Sequence, residues 1–387
     1  MKAVEIKKGI YWVGAIDWNL RSFHGYTTQR GTTYNAYLIV DEKIALIDTV
    51  KAPFVPEMLQ RIKSIINPER IDYIISNHVE MDHSGGIPAV MDIAKNAIVY
   101  TSFPQGEKGL TAHYGNLPYK AVKQGEDLSL GKRSLRFVPT PMVHWPDNMV
   151  SFCEQEGILF SNDAFGQHLA SSGRFDDEEE KEIIFEEARR YYANIVMPYG
   201  AQTAKAIEAV QGLTIKIIAP SHEVIWRQRI NNILSLYKSW TSDEKENKGI
   251  VIYDSMWHST ETMAKTICEA FANAGVKAKL FDLKENHNSD TMTELLTAKY
   301  VAVGSPTLNN NMLPTVAGAL TYMKGLLPKG RKGFAFGSYG WGGQSIGQVN
   351  TALQEAGVEI MLEPVKLQYI PNEEQLKSLY KKVITSL

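Results

Sequence analysis

Four side chains that can bind a metal ion lie within six residues, in the segment SNHVEMDHSGG: His78, Glu80, Asp82 and His83. They come directly after the apolar stretch IDYIIS, which is typical of a buried strand. Imidazole suits iron, zinc or copper, and carboxylate suits harder ions, so the mixture indicates a transition metal of intermediate hardness. One such motif supplies too few donors to complete a site.

Three more candidate ligands each follow another predicted strand: His144 after SLRFVPTPMV, Asp163 after GILFSN and His222 after TIKIIAPS. A lone His or Asp at a strand end usually makes hydrogen bonds or a turn, but that role does not explain the full set. Together the donors exceed the ~4 that one tetrahedral zinc ion uses. Two metal ions about 3.5 to 4 Å apart, bridged by one carboxylate, would use all of them.

A second candidate site begins where the strand GIVIYDS runs into a predicted helix. Ser255, Ser259 and Thr260 place hydroxyl groups at the start of this helix, where backbone amides also favour an anion. No Gly-Lys-Ser/Thr follows, so the loop is not a P-loop and suits a phosphate monoester that is held rather than transferred. Ordinary capping of the helix by Ser259 or Thr260 is the alternative.

Two later loops, GSPTLNNNMLP and GSYGWGGQS, also follow predicted strands. Ligands of doubly wound sheets bind outside the carboxyl ends of the strands, so the three loops are predicted to converge on one crevice. A G-x-G-x-x-G turn is missing after the first strand, which disfavours NAD. The arrangement resembles the flavodoxin family and so implies FMN, with its phosphate at 255–260 and its ring at 305–311 and 338–343, where Tyr339 and Trp341 would flank it. The candidate cofactor-binding residues are Ser255, Met256, Trp257, His258, Ser259, Thr260, Ser305, Pro306, Thr307, Leu308, Asn309, Asn310, Ser338, Tyr339, Gly340, Trp341, Gly342 and Gly343.

The elements that must position these residues read as an α/β protein of two domains. In the first half, apolar patterns predict a hairpin and five further strands together with two long helices. The hairpin spans 36–40 and 43–49, the other strands span 71–77, 96–102, 134–141, 157–163 and 213–222, and the helices span 55–66 and 177–196. A polar segment, 239–249, is the predicted linker. Five strand–helix units follow it and predict a doubly wound parallel sheet, so we expect domains at 1–246 and 247–387.

Composition excludes several classes of protein. The chain has 387 residues and a formal charge of -2, and no apolar run approaches the ~20 residues of a membrane span. Because the amino terminus has no signal-peptide pattern and no polybasic stripe is present, we expect a cytoplasmic protein that binds neither nucleic acid nor membrane. The only cysteines are Cys153 and Cys268, too few for a disulfide framework or a thiolate metal site. Any metal ion must therefore be held by His, Asp and Glu.

The order His-x-Glu-x-Asp-His, followed by distant His, Asp and His, resembles the metallo-β-lactamase fold in its flavodiiron form. The resemblance implies an αββα sandwich before the flavodoxin-like sheet. Most hydrolases of that fold have a second His where this chain has Glu80, and a harder, anionic donor favours iron that cycles between redox states. The resemblance implies one iron on His78, Glu80 and His144, the other on Asp82, His83 and His222, and Asp163 as the bridge.

The same resemblance bears on three further residues. His24 and His168 lie in family-like segments near the expected diiron pocket, where each could donate a proton to reduced oxygen species or simply pack. Glu223 replaces the glycine that the family usually has after its last His. We expect a solvated side chain there; the alternatives are an acceptor that tunes His222 and a left-handed backbone that costs about 1 kcal/mol or more.

The flavodiiron resemblance spans nearly the whole chain and implies reduction of dioxygen to water, of nitric oxide to nitrous oxide, or both. FMN would relay electrons from an external donor, either rubredoxin or a reduced deazaflavin coenzyme. The family forms head-to-tail dimers, or dimers of dimers, in which one subunit's FMN faces the other's irons. Two alternatives remain: a hydrolase of the metallo-β-lactamase fold fused to a flavodoxin-like electron-transfer module, and an electron-transfer protein with an inert metal domain.

Overall fold

The computed structural model describes residues 1–387, which divide into two compact units. Unit 1 comprises Met1–Tyr191 and Tyr199–Lys238, and unit 2 comprises Tyr192–Pro198 and Ser239–Leu387. The sequence analysis expected a domain boundary between residues 246 and 247, and that boundary stays a prediction. No helix is long and apolar enough to cross a membrane.

The first part of the chain forms two large sheets, two small two-stranded sheets and seven α-helices. Its strands are β1 (Val4–Lys7), β2 (Ile10–Trp12), β3 (Ala15–Asp17), β4 (Ser22–Phe23), β5 (Tyr26–Thr27), β6 (Thr32–Tyr34), β7 (Tyr37–Val40), β8 (Ile44–Ile47), β9 (Tyr73–Ser76), β10 (Ile98–Ser102), β11 (Tyr119–Val122), β12 (Asp127–Ser129), β13 (Ser134–Pro139), β14 (Met149–Cys153), β15 (Ile158–Asn162) and β16 (Ile217–Pro220). Its helices are α1 (Val55–Lys63), α2 (Met81–Ser84), α3 (Ile87–Ile93), α4 (Gln105–Tyr114), α5 (Lys181–Tyr191), α6 (Gly200–Val210) and α7 (Ile230–Thr241). Strands β3 with β6, and β4 with β5, pair separately from the two large sheets.

The two large sheets of unit 1 pack face to face. One has the order β1-β2-β7-β8-β9-β10-β11, and the other has the order β12-β13-β14-β15-β16. Successive side chains of a strand point to opposite faces, so Tyr37 and Ile39 enter the core between the sheets while Leu38 joins the core under α1. On the outer face of the second sheet, Phe152 packs with Val210 of α6. The predicted αββα sandwich is confirmed.

Unit 2 is a parallel sheet with helices on both faces. Its elements are β17 (Glu246–Tyr253), α8 (Ser259–Asn273), β18 (Lys277–Asp282), α9 (Asn288–Leu295), β19 (Ala298–Gly304), α10 (Pro314–Leu326), β20 (Lys332–Tyr339), α11 (Gln344–Glu355), β21 (Glu359–Ile360), β22 (Val365–Gln368) and α12 (Glu373–Ser386). The strand order is β18-β17-β19-β20-β21, with β22 also on β20. This is the flavodoxin-like order, which reverses between β17 and β19. The predicted doubly wound sheet is confirmed.

Two sequence-based expectations differ from the structure in detail. The helix expected over 177–196 begins at Lys181 and continues beyond Tyr191 as a π-helical turn, Tyr192–Val196. The linker expected over 239–249 is shorter, because α7 continues to Thr241 and β17 begins at Glu246. Polar composition marked the segment, but polar residues also fill the exposed ends of these two elements.

Candidate functional site

The seven predicted metal ligands meet in one place in unit 1, although they come from four separated segments of the chain. The segments follow β9, β13, β15 and β16, which end near one another in the sandwich. The potential ligand atoms fall into two groups, and within each group they lie within 4.8 Å of one another: His78, Glu80, His144 and Asp163 in the first, and Asp82, His83 and His222 in the second. All except His144 are buried.

Asp163 faces both groups with different oxygen atoms. Its Oδ2 lies 3.7 Å from Nε2 of His78 and 3.5 Å from Nε2 of His144. Its Oδ1 lies 3.0 Å from Nε2 of His83 and 3.6 Å from Nε2 of His222. A carboxylate placed in this way can bridge two metal ions, one held by each group.

The other two carboxylates each serve one group. Glu80 Oε2 lies 3.3 Å from Nε2 of His78 and 3.3 Å from Nε2 of His144. Asp82 Oδ2 lies 3.4 Å from Nε2 of His222. The carboxylates and the Nε2 atoms therefore converge, as they must around an ion.

Two of the rings are oriented by partners that the sequence analysis did not assign. His78 Nδ1 donates to Asp147 Oδ2 over 2.8 Å, and the same oxygen accepts from the Val79 amide at 2.8 Å. His222 Nδ1 donates to the Thr33 carbonyl over 2.7 Å. A bond at Nδ1 fixes the tautomer and leaves Nε2 free to bind a metal ion. The only signal in the sequence was the spacing of Asp147 from His144, three residues, which does not reveal its contact with His78.

Several buried polar atoms of the centre have no hydrogen-bond partner. They are both carboxylate oxygens of Asp82, both ring nitrogens of His83 and Oδ2 of Asp163. A buried carboxylate left in this state is costly, and only a small fraction of buried polar groups in proteins lack a partner. Metal ions would satisfy the oxygens and His83 Nε2 at once, so the residues fit a pair of ions.

The centre also favours positive charge. Burial lowers the pKa of a histidine, but the carboxylates around His78, His83 and His144 outweigh burial and raise the pKa of each ring to about 10. Burial would raise the pKa of Asp163, yet the same rings hold the pKa of that carboxyl well below its usual range. The three rings therefore hold protons at the positions where metal ions would bind, and metal binding would release these protons.

His24 and His168 both lie at the centre, in different environments. The His24 ring is 64% exposed, and its Nε2 lies 2.6 Å from Glu80 Oε1. His168 is buried, its Nδ1 lies 2.7 Å from Thr32 Oγ1, and its ring centroid is 4.7 Å from that of His222. Burial, with the charge of His222, lowers the pKa of His168 well below its usual value, so this ring is neutral. Their roles as proton donors stay predictions.

The expectation of a solvated Glu223 is wrong, because this side chain is fully buried. Its backbone has φ 58°, so the left-handed alternative is correct. Its Oε1 accepts from Ser171 Oγ over 2.7 Å, and burial raises the pKa of this carboxyl to about 8. Because His222 Nδ1 bonds to the Thr33 carbonyl, Glu223 is not the acceptor of that ring.

In unit 2, the three predicted loops surround an open crevice of ≈650 Å³. From the predicted set, the residues that line it are Met256, Trp257, Ser259, Pro306, Thr307, Asn309, Asn310, Ser338, Tyr339, Gly340, Trp341 and Gly342. The remaining predicted residues are not among those that line it: Ser255, Thr260 and Ser305 are buried, Gly343 is partly exposed, and His258 and Leu308 are exposed. Thr260 Oγ1, for example, lies 2.8 Å from Ser338 Oγ and ties the first loop to the third.

The crevice suits a planar, phosphate-bearing ligand. Trp257 and Trp341 are 86% and 90% exposed beside it, an unusual position for large aromatic rings without a ligand. Ser255 Oγ is buried without a partner next to the start of α8, where a helix terminus favours an anion. Tyr369 and Ile370 also line the crevice. Sequence reasoning missed them because they belong to no motif and come near the crevice only through the pairing of β22 with β20.

Both units match known protein families. Residues 32–223 match the family described as ODP family beta lactamase, and residues 251–382 match the flavodoxin family. The chain is 45% identical to a protein of Moorella thermoacetica named "Nitric oxide reductase", over 98% of this chain and 96% of the relative. It is 44% identical to the "Rubredoxin-oxygen oxidoreductase" of Megalodesulfovibrio gigas, over 100% of this chain and 98% of the relative.

Solved structures agree over the same length. The rubredoxin oxygen:oxidoreductase of Desulfovibrio gigas superimposes with a TM-score of 0.96 at 44% identity, covering 100% of this chain and 98% of that one. The flavodiiron protein of Giardia intestinalis gives a TM-score of 0.94 at 33% identity, covering 100% and 96%. The similarity therefore extends over both units.

Proposed function

This chain belongs to the flavodiiron protein family of oxidoreductases, and on that premise we propose that it reduces dioxygen, nitric oxide or both at two iron ions. Relatives are named for each of these gases. Dioxygen takes up four electrons and four protons to give two waters. Two molecules of nitric oxide take up two electrons and two protons to give nitrous oxide and one water.

One observation carries the proposal: two groups of ligand atoms share Asp163, and a carboxylate, Glu80, stands among the imidazoles of the first group. A shared carboxylate supports a metal pair, and the anionic oxygen of Glu80 supports iron over zinc because it stabilises the higher oxidation state. Iron ions, when bound, supply electrons to a diatomic gas, and FMN supplies electrons to the irons in pairs or singly. The proposed ligands are His78, Glu80 and His144 for one ion, Asp82, His83 and His222 for the other, and Asp163 for both.

The chain's own residues can bring the protons that either reaction consumes. His24 is exposed to solvent on one side and contacts Glu80 Oε1 on the other, so it can carry a proton from water to the edge of the centre. His168 is held neutral in the interior, next to His222, and can act as a local donor or acceptor. We propose these proton-transfer roles for both rings.

We propose that FMN occupies the crevice of unit 2, with its phosphate at the start of α8 near Ser255 and Ser259 and its ring near Tyr339 and Trp341. This chain has two cysteines and so lacks the thiolates of a rubredoxin centre. We propose that electrons come from an external donor, either rubredoxin or a reduced deazaflavin coenzyme. Family precedent supports a head-to-tail homodimer, or a dimer of dimers, located in the cytoplasm.

The decisive experiment starts with anaerobically purified protein. Metal and flavin analysis should give two irons and one FMN per chain. The chemically reduced protein is then mixed in a stopped-flow instrument with dioxygen and, separately, with nitric oxide, and the reoxidation of FMN is followed. We expect rapid reoxidation by at least one gas, and the ratio of the two rates identifies the preferred substrate.

Two outcomes would overturn the proposal. Zinc as the only tightly bound metal, with hydrolysis of an ester or lactam, would indicate the fused hydrolase instead. Bound FMN with two irons but no acceleration of reoxidation by either gas would indicate an electron-transfer protein.

A further inference from the structure

An apolar cavity lies in unit 1 between the second sheet and the helices α6 and α7. Val150 of β14 and Leu159 of β15 form one wall, and Ala206 and Val210 of α6 form the opposite wall. The space open to the centre of a water-sized sphere is ≈20 Å³. About 10 to 15 Å³ of such space is enough for one water molecule, so the cavity has room for one small guest, such as a diatomic gas.

The cavity offers little to a water molecule. Thr203 Oγ1, one of its few polar groups, already donates to the Tyr199 carbonyl over 3.0 Å. The hydroxyl of Tyr237 accepts from the Phe165 amide over 2.7 Å. A buried water needs two to four polar partners, and apolar cavities in proteins stay dry and take up apolar guests such as xenon.

The inner end of the cavity lies next to the proposed metal ligands. Val143 lines the cavity and immediately precedes His144, while Ala164 and Phe165 line it and immediately follow Asp163. Phe165 adopts a left-handed backbone, φ 69°, which is rare for a bulky residue and lets its ring line the cavity while Asp163 faces the metal groups.

The backbone of Phe165 is held in this conformation by three side chains. Its amide donates to Tyr237 Oη, and its carbonyl accepts from Trp226 Nε1 over 2.9 Å and from Gln167 Nε2 over 2.5 Å. Ala206, on the wall formed by α6, is partly exposed. The cavity thus lies between a partly exposed helix and the residues next to two proposed metal ligands.

We infer that this cavity binds the apolar diatomic substrate, dioxygen or nitric oxide, and delivers it to the metal pair. This inference rests on the proposed function, since it assigns the entry site of that function's substrate. Apolar gases partition from water into apolar space, whereas protons and ions do not, so the cavity admits the gas and excludes charged species. Protons would reach the centre on its polar side, at His24, whereas the gas would reach it through the apolar cavity.

Xenon under pressure tests binding without any catalysis. Crystals of the wild-type protein should show a xenon atom between Val150 and Ala206. Ala206→Leu fills the cavity and should abolish the xenon site. Ala209→Leu makes the same change on the exposed side of the same helix and should retain it. Absence of xenon from the wild-type cavity would overturn the inference.

Steady-state kinetics test delivery. Ala206→Leu should raise the KM for the gas about three-fold or more and leave kcat at saturating gas unchanged, while Ala209→Leu should match the wild type. Ile207→Ala, which widens the cavity, provides a second variant if Ala206→Leu does not fold. It should strengthen xenon binding without raising KM. Loss of xenon with an unchanged KM would show that the cavity is not on the route.

The proposed function and the proposed role of the cavity can fail separately. If the wild-type protein consumes neither gas, the proposed function fails, and the xenon experiment still decides whether the cavity binds an apolar molecule. If gas is consumed normally but the cavity takes up no xenon, only the assignment of the cavity fails.

Discussion

Asp163 is the residue on which both halves of the metal centre depend, since each of its oxygen atoms faces one group of ligands. Donor types and strand ends predicted the set of candidate ligands, and the family resemblance implied that Asp163 is the bridge; the fold places Asp163 between the two groups. Residue types alone therefore predicted which side chains gather at the centre, and metal binding by them stays a prediction.

We expect Asp163→Ala to lose most of the bound iron and to reduce gas consumption to background, because both groups lose a ligand at once. FMN should remain bound, since its proposed site is in unit 2. Iron and flavin content per chain, measured on the purified variant, check this. Asp92→Ala, a change at an exposed position on α3, is the control and should behave as wild type. Full iron content in the Asp163 variant would refute the bridging role.

A second prediction concerns the residue that orients His78. Asp147→Asn weakens the acceptor at His78 Nδ1, so the affinity for the metal on that ring should fall about 10- to 100-fold. Competition with a chelator of known affinity measures the change. Asp127→Asn removes an exposed carboxylate that pairs with Arg136, and it should leave the metal affinity unchanged. Equal affinities in the two variants would contradict the role of Asp147.

Residue types could not predict the contacts that support these ligands. Asp147 and Thr33 are ordinary in the sequence and acquire their roles only when distant segments meet. Glu223 is the opposite case, since a charged residue was expected in solvent and lies buried beside Ser171 in a left-handed conformation. The folding of the surrounding loops, rather than the polarity of the residue, decides its environment.

At the scale of elements, the strand–helix alternation after residue 246 was predicted because each element there is long and regularly patterned. β14, whose five residues are all buried, was not predicted, although β15 has the same burial pattern and was. β21 was missed because two residues carry no pattern. Length alone does not decide the outcome, since α6 and α7, of 11 and 12 residues, were also not predicted.

Gly337 of unit 2 is expected to be sensitive to substitution, because a loop packs closely against its strand. A Cβ on Gly337, in β20, would lie 2.0 Å from the Ser305 carbonyl oxygen, so Gly337→Ala must push apart two strands whose ends carry the crevice. We expect a lower melting temperature and weaker FMN binding, measured by thermal unfolding and flavin titration. Gly318→Ala is the matched control, because nothing lies within 4 Å of the added Cβ in α10. It should stabilise the protein by about 0.5 to 1 kcal/mol.

The short connection between α7 and β17 contains a perturbed lysine. Burial, with the nearby Arg331 guanidinium, lowers the pKa of Lys245 to about 8. In the unfolded chain this pKa is near 10.5, so between about pH 8 and 10.5 the unfolded state binds more protons and stability rises with pH. At pH 7 the folded protein bears the cost of a partly buried charge.

Lys245→Gln should therefore be more stable than wild type at pH 7, and its advantage should shrink as the pH rises above 8. Thermal unfolding of both proteins from pH 7 to 10 measures the difference. Lys299→Gln, a substitution elsewhere in unit 2, serves as a control and should show a difference that does not change over this range. A Lys245 difference that stays constant with pH would contradict the lowered pKa.

At the scale of the whole molecule, two units with separate cores carry two candidate sites, and the proposed reaction needs both. Removal of FMN should leave the iron content unchanged while it abolishes turnover driven by rubredoxin, and added FMN should restore that turnover. Flavin and iron analysis before and after removal, with gas consumption in each state, test this. Rubredoxin-driven turnover without FMN would show that electrons enter the metal centre by another route.

The division of the chain also has a consequence for engineering. The π-helical turn and the residues after it, Tyr192–Pro198, belong to unit 2 although they are encoded within the first half. Asn194 there bonds to the Ser289 carbonyl, to Thr293 Oγ1 and to the hydroxyl of Tyr322. A gene fragment that starts at residue 247 would lack this stretch and the hydrogen bonds that Asn194 makes. Chimaeras that exchange flavin modules between relatives will therefore need two grafted pieces.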